Sequence, residues 1–572
     1  MVHRTRVRRV VALLGVTMIG TGFASSNPAR AQDRPSLPPA LLPDIRLERQ
    51  QPEAAPQPGP EVLVPPPAPA PSVGGGLRFV LDGVVIEGAT LYPEERLLAP
   101  FQPLIGKLVA ISDVWRVARE IETLYREDGW FLTRAIVPAQ TVRDGRIYVR
   151  IVEGFIEQVR IEGDVGDAAI LIEETLRPVT GQRPLSLATL ERALLLVNDI
   201  PGITASGLLR PAAQQVGAAE LVVVTERKPF DASLVVDNFG DDFTGRRQLS
   251  MGVGSNAWTR FGERVGIIGF ITDPGADRNQ WVGQIATSWR FGGDGLALET
   301  VYSYGRSKPG GDVRQFNFDS KTTLVGVGFS YPFIRSRSFS LLGRVGIETI
   351  DTDTDADKDF FPDGEFSRDK LRVLTVGSEI EVRDPLNGAN SIAAGLRQGL
   401  PILNATRRDD QDKSREDGTG QATVLRAGIT RTQPLPLNFS LYTNVAGQYA
   451  FTELLANEEF TLGGTRFGRG YDFDELSGDN GIGGTAEVRY SLPLGLPYLE
   501  AVQVFSFFEG GRIWNSGDGL DGSLASAGGG IRIFPIGKLL LELQAAQPLT
   551  HDSQRANGSR DPQFLFRAVG RL

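Results

Sequence analysis

FSLLGRVGIETI (residues 339–350) and LRVLTVGSEIEV (371–382) decide how this chain folds. Each alternates apolar with small or polar residues over about ten positions, the period of a strand whose two faces meet different surroundings. Between them runs DTDTDADKDFFPDGEFSR (351–368), acidic and rich in turn formers. The same texture fills residues 229–572, in FDASLVVDNF (230–239), RVGIIGFIT (264–272), QWVGQIATSWRF (280–291), FSLYTNVAGQYAF (439–451) and KLLLELQAAQPL (538–549). About sixteen such segments can be marked, the pattern of a transmembrane β-barrel. Short connections, GGDG (292–295), DPLNG (384–388) and LGLPY (494–498), alternate with long ones such as LNATRRDDQDKSREDGTG (403–420). Short turns on one side and long loops on the other favour a barrel over a soluble sandwich or propeller. The last segment, QFLFRAVGRL, puts Phe564, Phe566, Ala568, Gly570 and Leu572 on one face.

Composition narrows the chemistry. The 572 residues include no cysteine and two histidines, His3 and His551. That removes thiol catalysis and Cys-rich metal sites, and with His551 alone left after His3 a Ser-His-Asp or multi-His centre is disfavoured without being excluded. The chain is expected to be no enzyme and to need no metal or cofactor. A net charge of −9 argues against nucleic acid as a partner.

The N-terminus reads as a signal peptide over residues 1–31: basic MVHRTRVRR, apolar VVALLGVTMIGTGFA, then the Ala29-Arg30-Ala31 cleavage site. Residues 32–76 hold a short amphipathic segment at about 41–51, then a proline-rich linker. From 77 to 228 the texture is α/β and repeats itself. Val84-Val85-Ile86-Glu87-Gly88 returns as Val159-Arg160-Ile161-Glu162-Gly163. In the first copy (77–153) helices are expected at 93–101 and 112–128, with Ser112 as N-cap, and strands at 131–137 and 146–152. In the second copy (154–228) helices are expected near 168–177 and 187–198, and strands near 203–209 and 220–226. Two tandem β-α-α-β-β modules therefore precede the barrel.

Two further stretches matter. GGTRFGRGYDFDE (463–475) has glycines spaced like a phosphate loop, but Arg469-Gly470 stands where that loop needs Lys-Ser/Thr. It lies between the eleventh and twelfth strands, in a long sixth loop at about 452–480. VQVFSFFEGGRIW (502–514) follows, and strand periodicity puts Phe507, Glu509 and Gly511 on one face. An inward-folded loop would bring Arg469 to Glu509. Spacing alone favours an ordinary surface turn.

From Leu77 onward the chain resembles the outer-membrane transporters of two-partner secretion, the haemolysin secretion/activation branch of the Omp85 superfamily. LYREDGWFLTRAIVPAQTVRDGRIYVRIVEG (124–154) is similar to the end of their first POTRA module, with Pro138-Ala139-Gln140 and Val152-Glu153-Gly154. Arg469-Gly470-Tyr471 resembles the family's loop-6 tip, and Ser477-Gly478-Asp479-Asn480-Gly481 the motif that follows it. Phe507, Glu509 and Gly511 resemble the barrel-wall motif whose acid binds that arginine. Gly468 stands where the family has an apolar residue, Glu509 where it has Asp, and Leu572 where phenylalanine is usual. Gly468 is expected to loosen the tip, and Glu509 lengthens the acid by one methylene.

The resemblance implies two POTRA modules and a sixteen-stranded antiparallel barrel in the bacterial outer membrane, with the POTRA modules in the periplasm. It implies a pore for one dedicated large exoprotein of the β-helical adhesin or haemolysin type, bound unfolded by the POTRA modules. An N-terminal helix at 41–51 would plug the resting barrel. Other partners would be outer-membrane lipids and, during biogenesis, periplasmic chaperones and the barrel-assembly machinery. The alternative is an Omp85-type assembly factor, which inserts proteins into the membrane instead of exporting them. A passive porin leaves the two periplasmic modules without a purpose.

Overall fold

The computed structural model describes residues 62–63, 78–212, 215–517, 521–535, 538–553 and 559–572. The expected signal peptide, the plug helix at 41–51 and most of the linker lie outside the described residues. One piece of the linker does not: Val62–Leu63 forms a short strand, β1.

The first module contains β2 (Arg78–Val80), β3 (Gly83–Glu87), α1 (Glu94–Leu98), β4 (Leu108–Ala110), α2 (Ile111–Glu127), β5 (Arg134–Ile136) and β6 (Arg146–Val152). Its sheet runs β3-β6-β5, with β3 parallel and β5 antiparallel to β6. α2 lays Val114, Val117, Ile121 and Tyr125 on Ile147, Val149 and Ile151, the inward residues of β6. The helix begins before Ser112: Ala110 is its N-cap, and the Ala110 N–H donates to the carboxylate of Asp113 at the third helical position, at 3.0 Å. Residues 131–133 are drawn into a turn closed by Thr133 N–H on Trp130 O, so β5 is shorter than the expected 131–137.

The second module contains β7 (Phe155–Glu162), α3 (Ala168–Gly181), α4 (Leu187–Asn198), β8 (Ile203–Pro211) and β9 (Ala218–Arg227). Its sheet order is β1-β8-β9-β7. The linker strand thus lies parallel along the outer edge of β8, Val62 opposite Gly207 and Leu63 opposite Leu208. Composition marked this stretch as linker alone. Edge pairing uses backbone groups and leaves little trace in side-chain pattern.

The barrel strands are β10 (Phe230–Asp237), β11 (Gln248–Asn256), β12 (Arg264–Thr272), β13 (Gln280–Phe291), β14 (Leu296–Ser307), β15 (Asp319–Arg335), β16 (Phe339–Asp355) and β17 (Glu365–Arg383). They continue with β18 (Ala389–Gly399), β19 (Thr423–Pro434) and β20 (Phe439–Ala450). Within the sixth loop, β21 (Phe460–Leu462) pairs with β22 (Leu476–Gly478). The wall resumes with β23 (Asn480–Leu496), β24 (Leu499–Trp514), β25 (Gly522–Pro535), β26 (Leu539–Pro548) and β27 (Gln563–Arg571). β27 pairs back to β10, so sixteen antiparallel strands close a barrel.

Polarity is inverted relative to a soluble protein. Gln284, Ser303, Arg397, Glu487 and Glu509 are buried on the inner side, whereas Met251, Ile267, Tyr302, Val325, Ile347 and Phe508 face outward and exposed. Closure satisfies every strand edge, and an apolar exterior over a polar interior is the lipid-spanning arrangement. Among the described residues no helix is long and apolar enough to cross a membrane. The second module docks under the short turns: Arg335 donates to both Asp199 oxygens at 2.7 and 2.9 Å, and Arg337 N–H donates to Glu191 at 2.8 Å. The long loops therefore open on the far side.

Candidate functional site

Inside the barrel the sixth loop folds back against the wall made by β23 to β26. The wall accommodates it with glycine. A Cβ on Gly483 would stand 2.5 Å from the Phe467 ring, one on Gly511 2.6 Å from Leu462, and one on Gly481 2.2 Å from Phe460. Phe467 and Tyr471 are fully buried in this trough with Leu462, Ile513 and Leu524.

Arg469 lies at its centre, 8% exposed. Its Nε donates to Glu509 Oε2 at 3.1 Å, its Nη1 to Glu487 Oε2 at 3.1 Å and to Gln544 Oε1 at 3.1 Å. The guanidinium covers the Phe507 ring at 3.5 Å from the centroid, so the motif's aromatic residue also holds the cation. Glu509 is 1% exposed, and its Oε1 accepts the Gly468 N–H at 3.0 Å, the Arg469 N–H and the Ser526 hydroxyl at 2.9 Å. The acid therefore grips the loop's backbone as well as its side chain. Glu487 is shared: it also accepts Arg489 at 2.8 Å and Arg532 at 2.7 Å.

Gly468 does not loosen the tip. Its φ of +128° is one that side chains rarely adopt, and an added Cβ would meet Leu524 at 2.8 Å and the Gly463 Cα at 3.1 Å. Here glycine permits the bend that aims two consecutive N–H groups at one carboxylate. Gly470 passes the β26 backbone so closely that a Cβ would stand 2.8 Å from Pro548 N. Tyr471 donates to Ala525 O at 3.2 Å and accepts Thr550 N–H at 3.0 Å.

The motif after the tip builds the loop's base. Ser477 and Gly478 lie in β22 opposite Thr461 and Phe460. Asp479, wholly buried, accepts the Leu454 N–H at 2.9 Å, the Ser516 N–H at 2.9 Å and the Arg415 guanidinium. It ties three loops together.

The residues marked in the first module sit apart from the barrel and pin its sheet. Gln140 brackets the backbone of Tyr148, donating to its carbonyl at 2.8 Å and accepting its N–H at 2.7 Å, and so extends β5 along β6 with a side chain. Pro138 offers its carbonyl to the same amide at 3.3 Å, and Ala139 makes the bend between them. Val152 stands opposite Arg134. Glu153 accepts the Thr90 and Leu91 N–H groups at 2.8 and 3.1 Å and the Tyr125 hydroxyl at 2.9 Å. Burial first, and then this hydrogen bond to Glu153, hold the Tyr125 phenol well above its ordinary range. Gly154 leaves space for Leu132, which a Cβ would approach at 2.6 Å.

The sequence reading missed Glu487, Gln544 and Ser526. A period-two count along β23 puts Thr485, Glu487 and Arg489 on the inner face, which is the signal for Glu487. Register decides the other two: Ser526 lies opposite Glu509, and Gln544 is two strands away from it.

The family model for haemolysin secretion/activation proteins (ShlB/FhaC/HecB) matches residues 219–533. The chain belongs to the haemolysin secretion/activation family. A ShlB-type POTRA model matches residues 79–154. Among relatives of this family, the heme/hemopexin transporter protein HuxB of Haemophilus influenzae is 24% identical over 497 residues, 84% of this chain and 86% of that one. The hemolysin transporter protein HpmB of Proteus mirabilis is 24% identical over 502 residues, 85% of each chain. CdiB from Escherichia coli shares the fold, with a TM-score of 0.71 and 20% identity, covering 88% of this chain and 93% of that one. As a haemolysin secretion/activation protein the chain is an outer-membrane secretion pore of the two-partner type, with its POTRA modules in the periplasm. Members of this family are transporters.

Proposed function

We propose that the pore secretes one dedicated large exoprotein of the β-helical adhesin or haemolysin type, with no chemical step of its own. The exoprotein arrives unfolded in the periplasm, binds the POTRA modules, and passes through the lumen once the sixth loop gives way. The observation that carries this reading is the obstruction in the barrel: a loop folded inward and fixed through Arg469 to Glu509 and Glu487. Breaking a buried pair by removing one partner typically destabilises by about 3–5 kcal/mol, enough to make closure a two-state property.

Recognition through strand addition is supported by the edge of β8, where this chain's own Val62–Leu63 is paired. An edge that takes one extended segment through backbone groups suits a cargo with no fixed side-chain pattern. In the first module, by contrast, Glu122 accepts the Ala135 N–H at 2.9 Å, which blunts the edge of β5. Outer-membrane lipids face the barrel, and periplasmic chaperones and the barrel-assembly machinery bring it there.

Deleting the gene should remove one large exoprotein from the culture supernatant or cell surface and leave the abundance of other outer-membrane barrels unchanged. A general loss of barrels would identify an assembly factor instead.

A further inference from the structure

Two ionic attachments join the sixth loop to strands of the barrel wall, and they are opposite in sign. At the tip a loop cation, Arg469, meets wall acids. At the base a loop anion, Glu458, meets wall cations. Arg397 of β18 donates to both Glu458 oxygens, Nε to Oε2 at 3.0 Å and Nη2 to Oε1 at 2.9 Å. Arg426 of β19 adds Nη2 to Oε2 at 3.0 Å. Arg397 is held in turn by Glu348 of β16 at 2.9 Å. Glu458 and Arg397 are 4% and 8% exposed, so both charges are largely shielded from water. A two-pronged guanidinium–carboxylate contact fixes direction as well as distance.

Tip and base are mechanically distinct. The tip touches β23 to β26. The base reaches β16, β18 and β19 and the neighbouring loops: Asn457 donates to Thr352 of β16 at 2.6 Å, and Ala456 N–H to Ser414 at 3.0 Å. Between them the chain leaves ordinary backbone geometry, with φ of +114° at Gly463 and +69° at Gly464 on the way in, and +54° at Asp474 on the way out. Residues of this kind absorb large φ/ψ changes, and they bracket the tip on both sides.

We propose that Glu458 is a second positioning residue of the gate. It holds the loop's base to the wall throughout transport, while the tip, residues 463–474, swings about the paired glycines. The loop then stays tethered inside the barrel instead of leaving it, and it returns to Arg469's site without a search. This rests on the gated-pore reading given above, and two cross-links separate the two claims.

The chain has no cysteine of its own. A Cβ on Gly478 lies 3.3 Å from the Ile513 Cβ, and one on Gly483 3.1 Å from the Phe467 Cβ. Both are close to the roughly 3.5–4.5 Å that a disulfide spans. G478C/I513C therefore staples the base and F467C/G483C the tip, with reduced samples as controls. Secretion of the exoprotein is measured in the full-length protein. The expected result is that oxidised F467C/G483C blocks secretion while oxidised G478C/I513C secretes as its reduced form does. A block by both staples overturns the tethered swing and leaves the gate standing. Normal secretion with the tip stapled overturns the gate, and the swing with it. In planar bilayers E458A combined with R469A should open roughly tenfold more often than R469A alone, and E458D should restore the R469A level. Equal opening with and without E458A would remove Glu458 from the mechanism.

Discussion

Glu509 holds Arg469 twice: one carboxylate oxygen takes the Nε, and the other takes the backbone N–H groups of Arg469 and Gly468. Replacing the arginine side chain therefore leaves the two backbone N–H contacts in place, whereas removing the acid strands both N–H groups and leaves Arg469 held by Glu487, Gln544 and the Phe507 ring. E509A should open the pore more than R469A does, by a margin that reflects two buried N–H groups left unpaired, about 1–3 kcal/mol each. Single-channel open probability in planar bilayers measures the difference, and equal opening by the two variants would contradict it.

Gly468 gives a sharper test. Restoring an apolar residue there, as in G468V, should weaken closure, because a side chain at φ +128° is strained and would overlap Leu524 and Gly463. The strain is on the order of 1–3 kcal/mol. Open probability should rise in G468V and rise less in G468A. A variant quieter than the parent would show that the bend is not needed.

Much of this architecture can be read from sequence, and the reasons are physical. Strand alternation in FSLLGRVGIETI and LRVLTVGSEIEV survives because lipid and lumen demand opposite polarity at successive residues. α4 shows its bounds, Leu187 to Asn198, because Ser186 caps it by accepting the Thr189 N–H. What stays hidden depends on closure. Arg469 and Glu509 meet only because a loop turns back through the lumen, and spacing carries no record of that turn. Glu458, in ANEEF, resembles any acidic surface turn until β18 and β19 supply Arg397 and Arg426. Val62–Leu63 is one more backbone-only event, invisible in a proline-rich stretch.

In the first module, Q140A should free the Tyr148 backbone and lower stability by about 1–2 kcal/mol, since two hydrogen bonds go with it. Limited proteolysis of the full chain should then cut between residues 137 and 147 faster than in the parent. An unchanged cleavage rate would mean that the bracket holds nothing. Barrel assembly should be unaffected.

The base of the loop should also respond to pH. Burial pushes the Glu459 carboxyl up to about 7 from its ordinary 4.5, against the opposing pull of Arg415. Because the folded value is the higher one, the stabilisation is complete at low pH and is lost as pH rises through 7. Thermal stability of the barrel should therefore be higher at pH 6 than at pH 8, and E459Q should flatten the dependence. A parent protein with the opposite slope would contradict the assignment.

The edge of β8 yields a prediction about recognition. L63P removes a backbone donor from β1 and should release the linker strand from Leu208. An exoprotein fragment should then bind the POTRA modules more tightly. Equal or weaker binding would place recognition elsewhere.

The measurement that reaches the central claim most directly is exoprotein secretion in R469E, E509R and the double swap. Each single variant sets like charges against each other in a buried site, so the tip loses the fixed position it must leave and return to even if the pore leaks, and secretion should fall sharply in both. The double swap should recover part of it, held below parent level because Glu487 would then repel the new glutamate. Normal secretion by both single variants would contradict a gate that Arg469 and Glu509 hold.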